Sequence, residues 1–221
     1  MVSAGGEIGM DHVGDGDAVV QRVKAEGIEA HVVTDYGWPA EIELALVDAV
    51  MSIRAKYGTS TSGVLGRVLR YRSSTSRQPL DDLTSFVRQD SNALHQLLGS
   101  QKSAGRLKSD ICLDVASRLI EAGVSCSGDL QAADPDQKKA WTGTRGLGWI
   151  TWEYFTMLLG HPGVKADTMI TRFVAASLDL PHVDAGRAHS AVSEAASVLQ
   201  VQPRDLDHAI WRQQSGRPVR R

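Results

Sequence analysis

The chain has 221 residues, room for one domain or two small lobes around a real core. Hydrophobic residues at 42%, charged residues at 23% and a net charge of −2 fit an ordinary soluble globular protein and argue mildly against indiscriminate nucleic-acid binding. No apolar run approaches bilayer length and no basic segment leads into an apolar one at the start, so the expectation is a cytosolic protein with no membrane partner.

Cys112 and Cys126 are the only cysteines, too few for a disulfide framework or a four-cysteine iron–sulfur site. Cys112 falls on the apolar stripe of a helix and reads as core. The seven histidines show no metal-ligand spacing, and no metal is expected.

Residues 1 to 17, rich in Gly and Asp and without periodicity, read as a flexible tail. Val19, Val20 and Val23 then suggest a short helix. Pro39 suits the first turn of the next one, which runs apolar nearly all round through Ile42, Leu46, Val50 and Ile53 and is therefore expected to be buried. Val64, Leu65, Val68 and Leu69 mark a further helix, broken by residues 73–79, and residues 80–98 hold one or two more. Over 103–122, Leu107, Ile111, Val115 and Leu119 recur every four residues before Gly123 as a natural stop. Asp134-Pro135 opens a short helix ending near Gly143, and helices over 149–159, 168–178, 184–199 and 203–214 complete the set. No alternating strand pattern and no internal repeat stands out. The expected fold class is all-α, with roughly ten short helices.

Charge is unevenly placed. Between Asp48 and Asp81 there is no acidic residue, yet Arg54, Lys56, Arg67, Arg70, Arg72 and Arg77 all fall there. Lys102, Arg106, Lys108, Lys138, Lys139 and Arg145 follow downstream among a few acids. Local positive charge is what phosphate binding requires; its plain alternative is a solvated helix face.

The stretch "GTRGLGWITWEYFTMLLGHPGVKADTMITRF" carries the chemistry. Gly146-Leu147-Gly148 sits between two short helices, where two glycines allow positive φ and remove Cβ atoms from a tight turn. Its amides and the start of the helix at Trp149 would form a site for a phosphodiester, which positions DNA without reading its bases. A plain helix–helix turn is the competing reading. Downstream, Gly160 and Pro162 break the chain, and Asp167 opens the next helix. There it is either simply an N-cap for the amides of Met169 or Ile170, or a carboxylate held for catalysis.

These residues resemble the HhH-GPD superfamily of DNA glycosylases, whose members include endonuclease III and the adenine glycosylases. The resembling segments are Gly146-Leu147-Gly148-Trp149-Ile150-Thr151 and Gly160-His161-Pro162-Gly163-Val164-Lys165-Ala166-Asp167-Thr168, with Arg172 in the following helix. More weakly, residues 49–56 resemble the helix carrying a DNA-inserting residue, residues 97–119 a segment with its lysine at Lys102, and "HAIWRQQSG" the helix before the family's iron–sulfur loop, a loop this chain lacks. The likeness spans about residues 38–216.

The resemblance implies a two-lobed helical fold with a helix–hairpin–helix motif and a cleft between lobes. It places residues 36–161 in one lobe and residues 18–35 with 162–221 in the other. It implies flipping of a damaged or modified base in duplex DNA and hydrolysis of its N-glycosidic bond, with Asp167 as the essential aspartate beside an oxocarbenium-like sugar. Arg145, Gly146, Leu147, Gly148, Thr151 and Lys102 would hold DNA. Arg54 is the candidate to fill the vacated stack; its other reading is a surface arginine. Trp149, Ile150, Trp152 and Asp48 are candidate pocket residues, Trp152 being bulky where the family keeps small residues. Ile150 stands where bifunctional members carry a Schiff-base lysine, so a monofunctional enzyme without strand-cleaving lyase activity is implied. Asp48 lies one residue before the catalytic glutamate position of adenine glycosylases, which Ala49 occupies. No cofactor is expected, a monovalent cation at the hairpin in a DNA complex being the one ion the resemblance allows, and a monomer is expected. The rival reading is a non-catalytic DNA-binding protein on the same scaffold; excision of an unusual modified base is a third.

Overall fold

The structure, a computed structural model, describes residues 13–216. The expected helix over Val19 to Val23 is α1, Val13–Ala25; it begins inside the stretch expected to be a tail, and residues 1–12 lie outside the described residues. The tail reading fails over 13–17 because Asp15 is not a solvated tail residue: its carboxylate receives two hydrogen bonds from Arg187, at 2.6 and 2.9 Å.

The remaining α-helices are α2 Ile42–Met51, α3 Gly63–Ser73, α4 Leu83–Val87, α5 Ser91–Leu98, α6 Lys108–Glu121, α7 Pro135–Thr142, α8 Trp149–Leu158, α9 Thr168–Ser177, α10 Ala185–Leu199 and α11 Pro203–Gln214. Short 3₁₀ turns occupy Ile28–His31 and Ser127–Asp129. One correction concerns strands: β1 Lys102–Ser103 and β2 Arg106–Leu107 pair antiparallel through Ala104-Gly105, both at positive φ. Two residues per strand are too few for alternation to register.

The chain divides into two compact units. Asp35–Lys165 forms one, and residues 13–34 with residues 166–216 form the other. In the first unit α2 is the central helix. All ten of its residues are buried, against α3, α4, α6 and α8, which is why its sequence is apolar all round. It starts at Ile42 rather than at Pro39, which sits in a preceding turn with Ala40 at φ 55. The Ile42 amide is capped by Asp81 at 3.0 Å.

The second residue of α2 is also charged and buried. Glu43 accepts two hydrogen bonds from Arg77, both 2.9 Å, and one from the Tyr71 hydroxyl. A carboxylate at a helix N-terminus is favoured by the dipole, and the bidentate guanidinium offsets its desolvation. In the other unit α1 packs along α10, and α9, α10 and α11 pack on one another. Val19, Val23, Ile170, Phe173, Val192 and Ile210 supply its apolar interior. No helix among the described residues is long and apolar enough to cross a membrane.

Candidate functional site

The turn joining α7 to α8 is built from both directions. Asp134 caps α7 through the amides of Asp136 and Gln137, and Pro135 occupies its first position. Thr144 hydrogen-bonds back to the Ala140 carbonyl, and the Leu147 amide reaches Thr144 O at 3.0 Å. Of the two glycines expected to need positive φ, only Gly146 does, at φ 102. A Cβ there would meet Ile111 Cδ1 at 3.2 Å and Ser103 Oγ at 3.4 Å, so the β-hairpin packs against this turn. Gly148 is extended, at φ −150, a conformation any residue adopts, and a Cβ on it would meet nothing within 4 Å.

Gly148 is the N-cap of α8 and has no side chain to satisfy the first-turn amides. Thr151 organises this end. Its hydroxyl donates to Gly148 O at 2.7 Å and accepts from Gly148 N at 3.0 Å and from Trp141 Nε1 at 2.9 Å. Arg145 and Trp149 are exposed, Trp149 at 37%, while Leu147 and Ile150 are half-buried and Leu147 packs on the core. The turn is thus an uncapped helix start with open space at Gly148 and an arginine three residues before it, a geometry that receives an anion.

Trp152, a candidate pocket residue, lies in the interior. It is 1% exposed and its ring lies against Trp141 and Phe155, with its indole N–H directed at Ala132 O at 3.3 Å. Its bulk packs in the core between α7 and α8.

Asp48, a second candidate pocket residue, also lies in the interior. It is fully buried on α2, where Oδ2 accepts from Trp38 Nε1 at 2.9 Å and the Tyr57 hydroxyl at 2.8 Å, and Oδ1 from the Tyr154 hydroxyl at 3.1 Å. Burial raises its pKa against the opposing pull of these donors and of Lys165. Lys165 lies over the Tyr154 ring, 3.4 Å from its centroid.

Asp167 is the N-cap of α9. Its Oδ1 accepts from Met169 N at 2.8 Å and Ile170 N at 3.4 Å, and the residue is half-buried. Both bonds fall on one oxygen, so the cap sets the carboxylate's orientation while Oδ2 takes part in neither. Arg172, one turn on, is exposed.

The basic tract after α2 is mostly structural. Arg72 pairs with Glu41 at 2.9 Å and Arg77 with Glu43, Arg67 bonds Gly63 O at 2.7 Å, and Arg70 reaches Leu97 O at 3.4 Å. Arg54 and Lys56 are exposed. Arg54 is also left-handed at φ 48. Lys102 is exposed at the first position of β1.

A family described as a domain of unknown function, DUF8548, matches residues 17–215. The chain belongs to this family. The all-α fold of this chain is similar to that in the crystal structure of the Methanocaldococcus jannaschii 8-oxoguanine DNA glycosylase, with a TM-score of 0.58 over 96% of this chain and 100% of that one. Sequence identity between the two is 11%, so the likeness is one of fold. No curated protein matches the sequence.

Sequence reasoning missed Lys108, whose buried ammonium bonds the carbonyl of the last residue of α2 and one just beyond it, and the Trp38 and Tyr57 partners of Asp48. For Asp48 a signal existed: a lone acid inside a helix apolar all round must be buried with donors. For Lys108 there was none, because the apolar stripe of α6 is equally consistent with a lysine pointing out.

Proposed function

We propose that this protein is a monofunctional DNA glycosylase: it flips a damaged or modified base from duplex DNA and hydrolyses the N-glycosidic bond. The observation that carries the reading is Asp167, a carboxylate whose direction is set by two amides on Oδ1, in a chain that has a DNA glycosylase's fold. An oriented, ionised carboxylate stabilises the positive charge that develops on the sugar as the base departs, and orients the attacking water.

The turn at Gly146 to Gly148 would grip a phosphate through the positive end of α8, which has no side-chain cap, and the charge of Arg145, with Lys102 as a further phosphate contact. Exposed Trp149 and half-buried Ile150 border that grip and would meet the extruded nucleotide. Arg54 would fill the gap in the stack. With an isoleucine and no amine at position 150, water is the nucleophile and an intact strand bearing an abasic site is the product.

The experiment is a panel of duplexes containing 8-oxoguanine, uracil, mismatched thymine and alkylated bases, assayed for abasic sites with wild type and Asp167→Asn. Release from at least one duplex, abolished in Asp167→Asn with DNA binding retained, is expected. Binding without release from any of them would instead identify a DNA-binding protein on this scaffold. Borohydride should trap no covalent adduct; an adduct would overturn the monofunctional assignment.

A further inference from the structure

The turn that follows α2 carries an unexplained cost. Ser52 N bonds Asp48 O at 2.9 Å and Ala55 N bonds Ser52 O at 3.3 Å, and between them Arg54 is held at φ 48. A left-handed non-glycine residue is strained and persists only where its surroundings impose it. Glycine would remove the strain, yet the position holds a long, exposed cation.

Lys108, the first residue of α6, is bonded to this turn. Its side chain is buried, the residue being 2% exposed, and Nζ donates to Met51 O at 2.9 Å and Ile53 O at 2.7 Å. Met51 ends α2, so its carbonyl belongs to the set with no partner inside the helix, at the negative end of the dipole. Ile53 directly precedes Arg54. The base of the clamp is itself tied down, since the Lys108 amide bonds Gln101 O at 2.9 Å. A second lysine reaches the same turn: Lys165 Nζ is 3.5 Å from Ser52 Oγ.

We propose that Lys108 is a positioning residue: by clamping the Met51 and Ile53 carbonyls it holds the left-handed turn that presents Arg54 outward to fill a gap in stacked duplex DNA. The inference rests on the glycosylase reading. A lysine that merely capped α2 would contribute to stability and nothing through Arg54.

The test compares wild type, Arg54→Ala, Lys108→Met and the double variant on a duplex holding a tetrahydrofuran abasic analogue beside 2-aminopurine. Affinity, fluorescence increase and melting temperature are read for each. Arg54→Ala is expected to lose about tenfold in affinity, the size of one stacking contact, with most of the fluorescence change. Lys108→Met should match that loss, and the double variant should bind no worse than Arg54→Ala alone, although it melts lower. Multiplying losses in the double variant, or full activity in Lys108→Met, overturns the clamp. If Arg54→Ala binds normally the plug assignment fails, and if wild type does not prefer the analogue over intact duplex the glycosylase reading itself fails.

Should Lys108→Met not fold, wild type supplies a second measurement. Burial lowers the Lys108 pKa to about 8, with Arg67 adding to the shift and the neutral, buried Cys112 thiol beside it. Raising the pH from 7 to 9 therefore removes the ammonium charge that strengthens both bonds of the clamp, and the fluorescence signal should fall in wild type but stay level in Arg54→Ala. A signal unchanged in wild type overturns the proposal.

Discussion

The Thr151 hydroxyl accepts a hydrogen bond from the Trp141 indole at 2.9 Å and so joins the last turn of α7 to the first turn of α8 across the glycine turn. That bond, with the two to Gly148, makes a single hydroxyl the organiser of the turn. Thr151→Val keeps the shape and removes all three contacts. It leaves the indole N–H of a fully buried Trp141 without its acceptor, a loss of about 1–3 kcal/mol. Chemical denaturation should show this loss, and Thr151→Ser should restore most of it.

Asp48 gives a pH dependence of unusual sign. Its pKa is raised in the folded state by burial, so between about 3.8 and that raised value the folded protein binds more protons than the unfolded chain. Its contribution to stability is therefore largest at acid pH and falls as pH rises through this window, opposite to a salt-bridged carboxylate. Asp48→Asn removes the ionisation. The stability difference, wild type minus Asp48→Asn, should grow as pH is lowered from 7 to 4, measured by urea midpoints at each pH. A constant difference would mean that the three donors and Lys165 cancel the desolvation.

Much of the fold was legible because it is local. Asp134-Pro135, Gly123, Asp167, Asp184 and Pro203 are caps and stops whose chemistry acts within a few residues, and each marks the end of a helix in the structure. In the candidate site, the backbone chemistry was legible at two positions, the positive φ of Gly146 and the helix cap of Asp167. The packing of Trp152 on Trp141 was not legible, because an aromatic residue after a hairpin reads alike whether it faces a ligand or another ring. The basic tract over-predicted phosphate contacts because Glu41 and Glu43, which take up Arg72 and Arg77, lie 31 and 34 residues away in sequence. Long-range pairing is what a one-dimensional reading cannot supply.

Lys108 should leave a second signature, in alkali. Its folded pKa of about 8 lies below the ordinary lysine value of 10.5, so between these limits the unfolded chain binds the extra proton. Stability from this group rises with pH across that window. Relative to Lys108→Met, wild type should gain stability from pH 8 to 10, read as the difference in melting temperature; a gap that narrows would contradict the buried ammonium.

The two glycines of the turn separate architecture from ligand. Gly146→Ala meets a φ of 102 and Ile111 at 3.2 Å, so it should destabilise the fold by about 1–3 kcal/mol. Gly148→Ala meets neither obstacle: its backbone is extended and the added methyl points into open space. A protein that needed Gly148 only for folding would tolerate the change. If a phosphate sits against the start of α8, the methyl occupies the space the phosphate needs. Gly148→Ala should then keep the wild-type melting temperature within about 0.5 kcal/mol of stability, as a neutral surface change does. Its affinity for duplex DNA should nonetheless drop about tenfold or more, with a smaller dependence on salt concentration, because the phosphate contact is the one lost. Fluorescence anisotropy at two salt concentrations measures both quantities, and unchanged binding would move the DNA contact away from this turn.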